Sequence, residues 1–378
     1  MNNTLYSLAR NSLYLLNRAY AQWSFLVNFA LYSFLWIFLR GIPPSTSTRP
    51  SPSEQWHPGV FISDAQSPVG RETALLLARS GYTVFAGVSQ LSDGRSLIDV
   101  FTSNSPLVRI PGGAIHSLLC TTTDKTSVHA AAAAVARSID ANPRTKLVAI
   151  VCLAQLQQIA PLEQMSDAAI TESIHQNLLP HITLTRAFLP LLRQSSTQSR
   201  ILLLTSAIGY TPLPGFTLTS ATSASIDSFS RALTAELLLS KDSNNVRCTV
   251  IRYGSITTTA ATLQRAYEEH LADPSSSGFD STGHLMSSHP SASVAETTTN
   301  SKQRSSYVRL MRRWSRILYY ERQLGSPPLH IAKQVKDALT DAWLQPCYTV
   351  GWDALLAQAL RDFVPEPVYE WLLLKVFS

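Results

Sequence analysis

Cysteine is scarce in this chain, and its spacing excludes the common metal-binding motifs. The four cysteines are widely separated, and no CxxC pair or Cys/His cluster occurs (Cys120, Cys152, Cys248 and Cys347). Three of the four fall in apolar, strand-like runs. Buried free thiols have this setting. We therefore predict no metal site and a reducing compartment, with the globular part facing the cytosol.

Charge is also sparse, at 15% of residues, and the net charge of +6 is only mildly basic. Much of the positive excess lies between Lys302 and Arg322. No stripe of basic residues interleaved with aromatic residues and no known nucleic-acid motif accompanies it. We therefore expect no nucleic-acid partner.

One long apolar run stands near the N-terminus. Residues 23–39 read WSFLVNFALYSFLWIFL, without a charge and with Trp and Tyr at both edges. This length is the lower limit for crossing a bilayer, and Trp and Tyr favour membrane interfaces. We expect residues 1–41 to be a membrane-anchor segment that contacts the membrane through 21–40, either spanning it or lying on it. A Pro/Ser-rich linker at 42–57 follows.

Strand and helix patterns alternate from Gly59 onward. A buried strand (GVFIS), a helix (RETALLLARSG) and a second strand (YTVFAGV) form one strand–helix–strand unit. Further strands are predicted at 117–120, 147–152, 200–205, 247–252 and 347–350, and helices at 125–140, 167–195, 221–239 and 330–344. This alternation predicts an α/β fold over residues 58–378, a doubly wound parallel sheet of the Rossmann type, preceded by the membrane helix.

Two segments interrupt this domain. Residues from about 270 to 306 are dominated by Ser, Thr, Gly and His, which is typical of a mobile insertion. Residues 308–322 (VRLMRRWSRILYYER) alternate basic and bulky apolar residues. Two interpretations fit this alternation equally: a helix on an anionic membrane surface, and a helix packed on the domain with a solvated basic face.

The order of elements, the phrase VFAGV and the ending PCYTVGWDALL…FVPEPVYEWLL resemble the short-chain dehydrogenase/reductase superfamily. The branch that acts on steroids, retinol and sphingoid-type lipids is the most similar, together with a membrane-anchored fungal family related to it. The resemblance implies a lipid-like ligand, an endoplasmic-reticulum membrane and a homo- or hetero-dimer through helices 167–195 and 221–239. A mitochondrial membrane is the alternative, because residues 1–20 are basic and lack acidic residues.

The resemblance aligns the superfamily's phosphate-binding turn, Thr-Gly-x-x-x-Gly-x-Gly, with SDAQSPVG. Ser63 begins this turn, and of the three glycines only Gly70 is present. Asp64 would bring a carboxylate near a pyrophosphate, and Pro68 lacks a backbone N–H. Thr258, after the sixth strand, matches the threonine that contacts the nicotinamide carboxamide. We predict no cofactor, with NADP or NAD as the cofactor if one binds.

Two of the superfamily's four catalytic positions are kept. Ser206 matches the serine that orients the substrate oxygen, and Asn177 matches the asparagine that holds a relay water. The tyrosine and lysine positions fall on Thr219 and Ser223, and the nearby Tyr210 has no lysine partner. A threonine hydroxyl is too weak an acid to replace the tyrosine.

Two functions remain open on these residues. The first is a membrane-anchored protein with eroded cofactor and catalytic motifs, which acts as a non-catalytic binding or scaffold protein at a lipid-metabolising membrane. The alternative is an atypical NAD(P)H-dependent oxidoreductase acting on a lipid or another hydrophobic carbonyl or alcohol.

Overall fold

The structure, a computed structural model, describes residues 56–103, 113–153, 160–195, 198–240, 245–258, 313–314, 317, 319–320 and 323–377. The predicted anchor (1–41), the insertion and most of the basic segment lie outside these ranges. No helix within them is long and apolar enough to cross a membrane.

Seven parallel strands form one sheet in the order β3-β2-β1-β4-β5-β6-β7. They are β1 (His57–Ile62), β2 (Thr83–Val88), β3 (Ala114–Leu119), β4 (Thr145–Cys152), β5 (Ser199–Ser206), β6 (Val246–Tyr253) and β7 (Cys347–Val350). The strand order reverses direction between β1 and β4, which opens a crevice at the carboxyl ends of these two strands. The prediction of a doubly wound parallel sheet is confirmed.

Helices cover both faces of the sheet. They are α1 (Pro68–Arg79), α2 (Leu91–Ser103), α3 (Lys125–Ala141), α4 (Asp167–Asn177), α5 (Leu179–Gln194), α6 (Thr217–Leu239), α7 (Pro328–Thr340), α8 (Trp352–Phe363) and α9 (Glu366–Phe377). Successive residues of β1 point to opposite faces. Val60 and Ile62 join the core that contains residues of α1 and α7, whereas Phe61 joins the core of α3, α5 and α6.

Several element boundaries differ from the predicted ones. The helix predicted at 167–195 is two helices that meet at Leu178, because Pro180 near the start of α5 has no amide hydrogen to continue the bonding pattern. The helix predicted at 330–344 starts earlier, at Pro328, and ends at Thr340. The first strand begins at His57, the last residue of the predicted linker, and α2 was not predicted at all.

A buried arginine joins the sheet to the end of α7. Arg200, at the start of β5, is fully buried and its guanidinium donates to the carbonyl oxygens of Ala338 and Asp341, the latter at 2.5 Å. A helix C-terminus carries partial negative charge and unpaired carbonyls, so a cation there is favourable. The hydroxyl of Tyr348 on β7 donates to the Asp341 carboxylate at 2.7 Å. This contact places α7 against β5 and β7.

Candidate functional site

The crevice between β1 and β4 is closed at its base by a serine. The Ser63 hydroxyl donates to the Leu153 carbonyl oxygen at 2.8 Å and accepts from the Leu153 amide at 2.8 Å. Ser63 is fully buried. The hydroxyl is therefore a structural link between the two strands at the point where strand order reverses.

Two backbone amides of the turn from Asp64 to Gly70 are used within the turn itself. The Ser67 hydroxyl caps α1 by accepting from the Gly70 amide at 3.1 Å and donates to the Asp64 carbonyl oxygen at 2.7 Å. The Ser67 amide also donates to that carbonyl oxygen, at 3.2 Å. Pro68 has no amide hydrogen. A pyrophosphate at a helix N-terminus needs such N–H groups to be free, so the residues present do not fit it in the usual way.

Gly70 is required by close packing. A Cβ atom at this position would lie 2.0 Å from the Asp64 carbonyl oxygen and 2.9 Å from the Ala65 Cα. Contacts this short are excluded by atomic radii. The glycine of the phosphate-binding motif is therefore explained here by the contact between α1 and its own turn, without a ligand.

Asp64 adds negative charge to the same turn. Burial raises the pKa of its carboxyl group to about 6, against the lowering effect of the hydrogen bond with Ser67. The group is therefore mostly ionised at neutral pH. Burial, and secondarily the charge of Asp64, raises the pKa of the Tyr253 hydroxyl at the end of β6. An anionic ligand placed beside this carboxylate would be repelled.

A side-chain amide links the turn to the end of β2. Gln66 donates from Nε2 to the Ser89 hydroxyl at 3.3 Å and accepts from the Ser89 amide at Oε1, also at 3.3 Å. The sequence pattern does not reveal this pair, because the two residues belong to separate loops.

Both retained catalytic-type residues are buried. Ser206 ends β5, and its hydroxyl accepts from the Ile208 amide at 3.3 Å. Asn177 ends α4, and its side-chain amide lies 3.4 Å from the Ser173 hydroxyl. These contacts give both residues a role in holding chain turns.

The positions of the missing tyrosine and lysine are filled by close packing. Thr219 and Ser223 are one helical turn apart on α6, and both are buried. A 3₁₀ turn at Ala207–Gly209 lies directly on this helix. A Cβ atom at Gly209 would be 2.6 Å from the Ser223 Cβ and 2.6 Å from the Ala224 nitrogen. Neither side chain titrates near neutral pH.

Tyr210 is bonded to a different helix, α8. Its hydroxyl donates to the Asp362 carboxylate on α8, and the guanidinium carbon atoms of Arg252 and Arg361 lie 4.7 and 5.8 Å from its ring centre. Burial and the bond to Asp362 raise the pKa of the Tyr210 hydroxyl. A proton-transferring tyrosine needs the opposite shift, toward the working pH. Tyr210 thus links β5 to α8.

His181 is a buried polar residue that the sequence interpretation missed. Its Nδ1 lies 3.0 Å from the Asn177 carbonyl oxygen and its Nε2 lies 3.1 Å from the Leu204 carbonyl oxygen. Burial lowers the pKa of the imidazole to about 4. A neutral imidazole has one N–H and donates to only one of the two carbonyls. His181 joins α5 to β5 two residues before Ser206, and a lone histidine in an apolar helix carries no sequence signal for this.

A cleft of about 540 Å³ opens beside the turn. Its lining comes from the turn and first residues of α1, from Thr258 in the segment that follows β6, and from the start of α7. The residues are Gln66, Pro68, Arg71, Glu72, Thr258, Pro327, Pro328 and Leu329. Of the predicted cofactor-binding residues only Thr258 lines it. Its size is typical of a small-molecule site, and it offers one cation, one anion and an apolar wall.

Metal binding has no support in the part of the chain that the structure describes. No group of three or more His, Cys, Asp or Glu side chains there is arranged to hold an ion. The four cysteines are free, and burial raises the pKa of the Cys120 thiol to about 12.

A family model for short chain dehydrogenases matches residues 59–269, more than half of the chain. The chain belongs to the short-chain dehydrogenase family. The predicted superfamily is therefore confirmed, while the lipid-type branch and the membrane-anchored fungal family stay predictions. A search of curated proteins finds no match.

Solved structures of this fold are similar over most of the chain. A short-chain dehydrogenase from Streptomyces avermitilis aligns with a TM-score of 0.58 at 17% identity, covering 86% of this chain and 98% of that one. An NADPH-bound short chain oxidoreductase from Pseudomonas aeruginosa PAO1, described as containing an atypical catalytic center, aligns with a TM-score of 0.54 at 17% identity. The alignment covers 77% of this chain and 94% of that one. An alcohol dehydrogenase from Thermococcus sibiricus complexed with 5-hydroxy-NADP aligns with a TM-score of 0.53 at 16% identity. The alignment covers 78% of this chain and 97% of that one.

Proposed function

We propose that this protein is a short-chain dehydrogenase-family member without the family's proton-transfer and hydride-transfer chemistry. It acts as a non-catalytic binding or scaffold protein, anchored to a lipid-metabolising membrane through residues 21–40. The observation that carries this proposal is the packing at Thr219 and Ser223. Both side chains are buried, the Gly209 turn packs directly on Ser223, and neither residue supplies an acid or a neighbouring cation.

The phosphate-binding turn supports the same proposal. Its amide donors at Ser67 and Gly70 are used internally, Pro68 has none, and Asp64 is ionised at neutral pH. A member that still used a dinucleotide would need these groups for the pyrophosphate. A catalytic step through NAD or NADP is therefore not part of this proposal.

The cleft beside Thr258 is the proposed ligand site. Pro327, Pro328 and Leu329 give it an apolar wall, and Arg71 supplies a cation. This combination suits an amphipathic, lipid-like ligand with an anionic or polar head. Dimerisation through α4, α5 and α6, and a location on the endoplasmic-reticulum or a mitochondrial membrane with the domain in the cytosol, remain parts of the proposal.

A second candidate is an atypical NAD(P)H-dependent oxidoreductase of a lipid or another hydrophobic carbonyl or alcohol. The specific observation in its favour is that Arg71 and Thr258 line one cleft at the place where the family holds its cofactor. The Pseudomonas structure, described as NADPH-bound with an atypical catalytic center, is a precedent within the same fold.

A turnover assay separates the two candidates. Purified full-length protein is incubated with NADPH or NADH and with long-chain aldehydes or steroid ketones, and cofactor oxidation is followed by absorbance. We expect no turnover above the protein-free rate, because no titrating group occupies position 219 or 223. The second candidate would be established instead if the protein oxidises the cofactor, the Ser206→Ala variant loses this activity, and the matched variant Ser225→Ala on the exposed face of α6 keeps it.

A further inference from the structure

Helix α8 attaches to the domain through its polar residues. Three of its polar side chains form hydrogen bonds with the domain: Ser255 N to Asp353 Oδ2 at 2.6 Å, Thr349 Oγ1 to Gln358 Oε1 at 2.7 Å, and the Tyr210 hydroxyl to Asp362. Only Ala354 of this helix is buried. An amphipathic helix of a globular domain ordinarily buries its apolar stripe and exposes its polar face. Here the arrangement is reversed.

The apolar stripe of α8 faces outward. Its members follow the spacing i, i+3, i+4, i+8 and i+11, which places them on one side of a helix. Their exposed fractions are 53% for Trp352, 53% for Leu355, 52% for Leu356, 38% for Leu360 and 71% for Phe363.

Helix α9 also exposes apolar side chains. Val368, Trp371, Leu372 and Val376 are all exposed and have the same i, i+3, i+4, i+8 spacing. Leu374, one turn after Glu370, is exposed on the other side of the helix. Of the described side chains of α9, only Tyr369 is buried. Soluble proteins rarely leave contiguous apolar surface of this extent uncovered, and such surfaces mark protein or membrane contacts.

The charges around these two stripes favour a bilayer. Glu366 is paired with Arg361 at 3.6 Å, on the side of α9 opposite the stripe. The one charge within the stripe is the cation Lys375, whose ammonium lies 4.8 Å from the Trp371 ring centre. A lysine among Trp and Leu residues reaches the headgroups with its ammonium while its stem stays in the apolar layer.

One basic residue, Arg313, contacts the end of α9. The Arg313 guanidinium donates to the Val376 carbonyl oxygen. Arg313 belongs to the stretch from residue 302 to 322, which contains seven Lys or Arg residues and one Glu. Basic residues beside an apolar surface are attracted to anionic lipid headgroups.

We propose that α8 and α9 form a membrane-contact surface, with their apolar stripes in the interfacial layer of an anionic bilayer. A protein partner would be expected to bind polar as well as apolar groups of these helices. Here three of their four acidic side chains, Asp353, Asp362 and Glu366, are already paired with groups of this chain, and the fourth, Glu370, lies on the side of α9 opposite the stripe. This surface rests on the membrane location of the proposed function and adds a second contact with the bilayer. The experiment that tests it measures the exposure of α8 and α9 themselves, independently of segment 21–40.

Site-directed nitroxide labels test the surface in the full-length protein. Leu372→Cys carries the label on the stripe of α9, Leu356→Cys on that of α8, and Glu370→Cys on the opposite, exposed face serves as the control. The background variant is Cys347→Ser, since the other three cysteines are buried. Vesicles contain phosphatidylcholine and about one-fifth phosphatidylserine, which reproduces an anionic leaflet.

On these vesicles we expect the labels at 356 and 372 to lose most of their accessibility to a water-soluble nickel chelate, because a polar reagent is excluded from the apolar layer. They should keep their accessibility to oxygen, and the label at 370 should stay open to the chelate. Labels at 356 and 372 that remain open to the chelate would overturn the proposal. Shielding from both reagents would also overturn it, since protein then covers the stripes. Failure of the protein to sediment with vesicles would contradict the membrane location itself.

Discussion

Replacing Arg200 by leucine is expected to lower the free energy of unfolding by about 3 kcal/mol, since it leaves two carbonyl oxygens at the end of α7 without their charged donor. The guanidinium donates to the carbonyl oxygens of Ala338 and Asp341 at the end of α7, and Arg200 is fully buried. Leucine matches part of the volume but leaves both carbonyls without this donor. The helix that lines the cleft and packs on α1 would lose its anchor to β5.

Urea unfolding followed by circular dichroism measures this effect. The matched control is Arg95→Leu, because Arg95 is exposed on α2 and its replacement should change the stability by less than about 0.5 kcal/mol. Equal, small effects of the two variants would show that the contact between Arg200 and α7 contributes little.

Replacing Gly70 by alanine is also expected to have a large effect, lowering the free energy of unfolding by about 3 kcal/mol. The added Cβ would meet the Asp64 carbonyl oxygen at 2.0 Å and two further backbone atoms at 2.9 Å. Backbone cannot rotate out of the way as a side chain can, so α1 must shift from its turn. The loss is expected in the absence of any cofactor, because the contact is internal.

Gly59→Ala in the same strand–turn–helix unit is the control. Its nearest atoms to an added Cβ are 3.1 to 3.3 Å away, and two of the three belong to side chains that can move. The expected cost is below about 1 kcal/mol, with some compensation from the lower entropy of the unfolded chain. A well-folded Gly70→Ala variant of unchanged stability would mean that the turn is looser than the structure shows.

The sheet was predictable because parallel strands covered on both faces appear as continuous apolar runs. Helix α2 was missed because its buried stripe is thin, consisting of Gly94, Leu97 and Phe101. The break at Leu178 was missed because the apolar pattern continues across it. The outward stripes of α8 and α9 were not predicted either, since an apolar helix face gives the same sequence signal whether protein or lipid covers it.

The candidate site was predictable only at the level of single positions. Alignment with the family's motifs places Thr219, Ser223 and the altered turn, since these depend on local spacing. The contacts that close the site join residues far apart in the chain. Gly209 packing on Ser223, Gln66 bonding Ser89, and Tyr210 bonding Asp362 are of this kind. No local pattern reveals such pairs before the chain is folded.

Direct binding of NADPH and NADH to the purified full-length protein, measured by titration calorimetry, tests the central claim most directly. With its turn donors used internally and Asp64 ionised, the protein is predicted to show no binding heat even at millimolar cofactor. Micromolar binding of either dinucleotide would contradict the account, because the turn would then have to open and release its amides to the pyrophosphate.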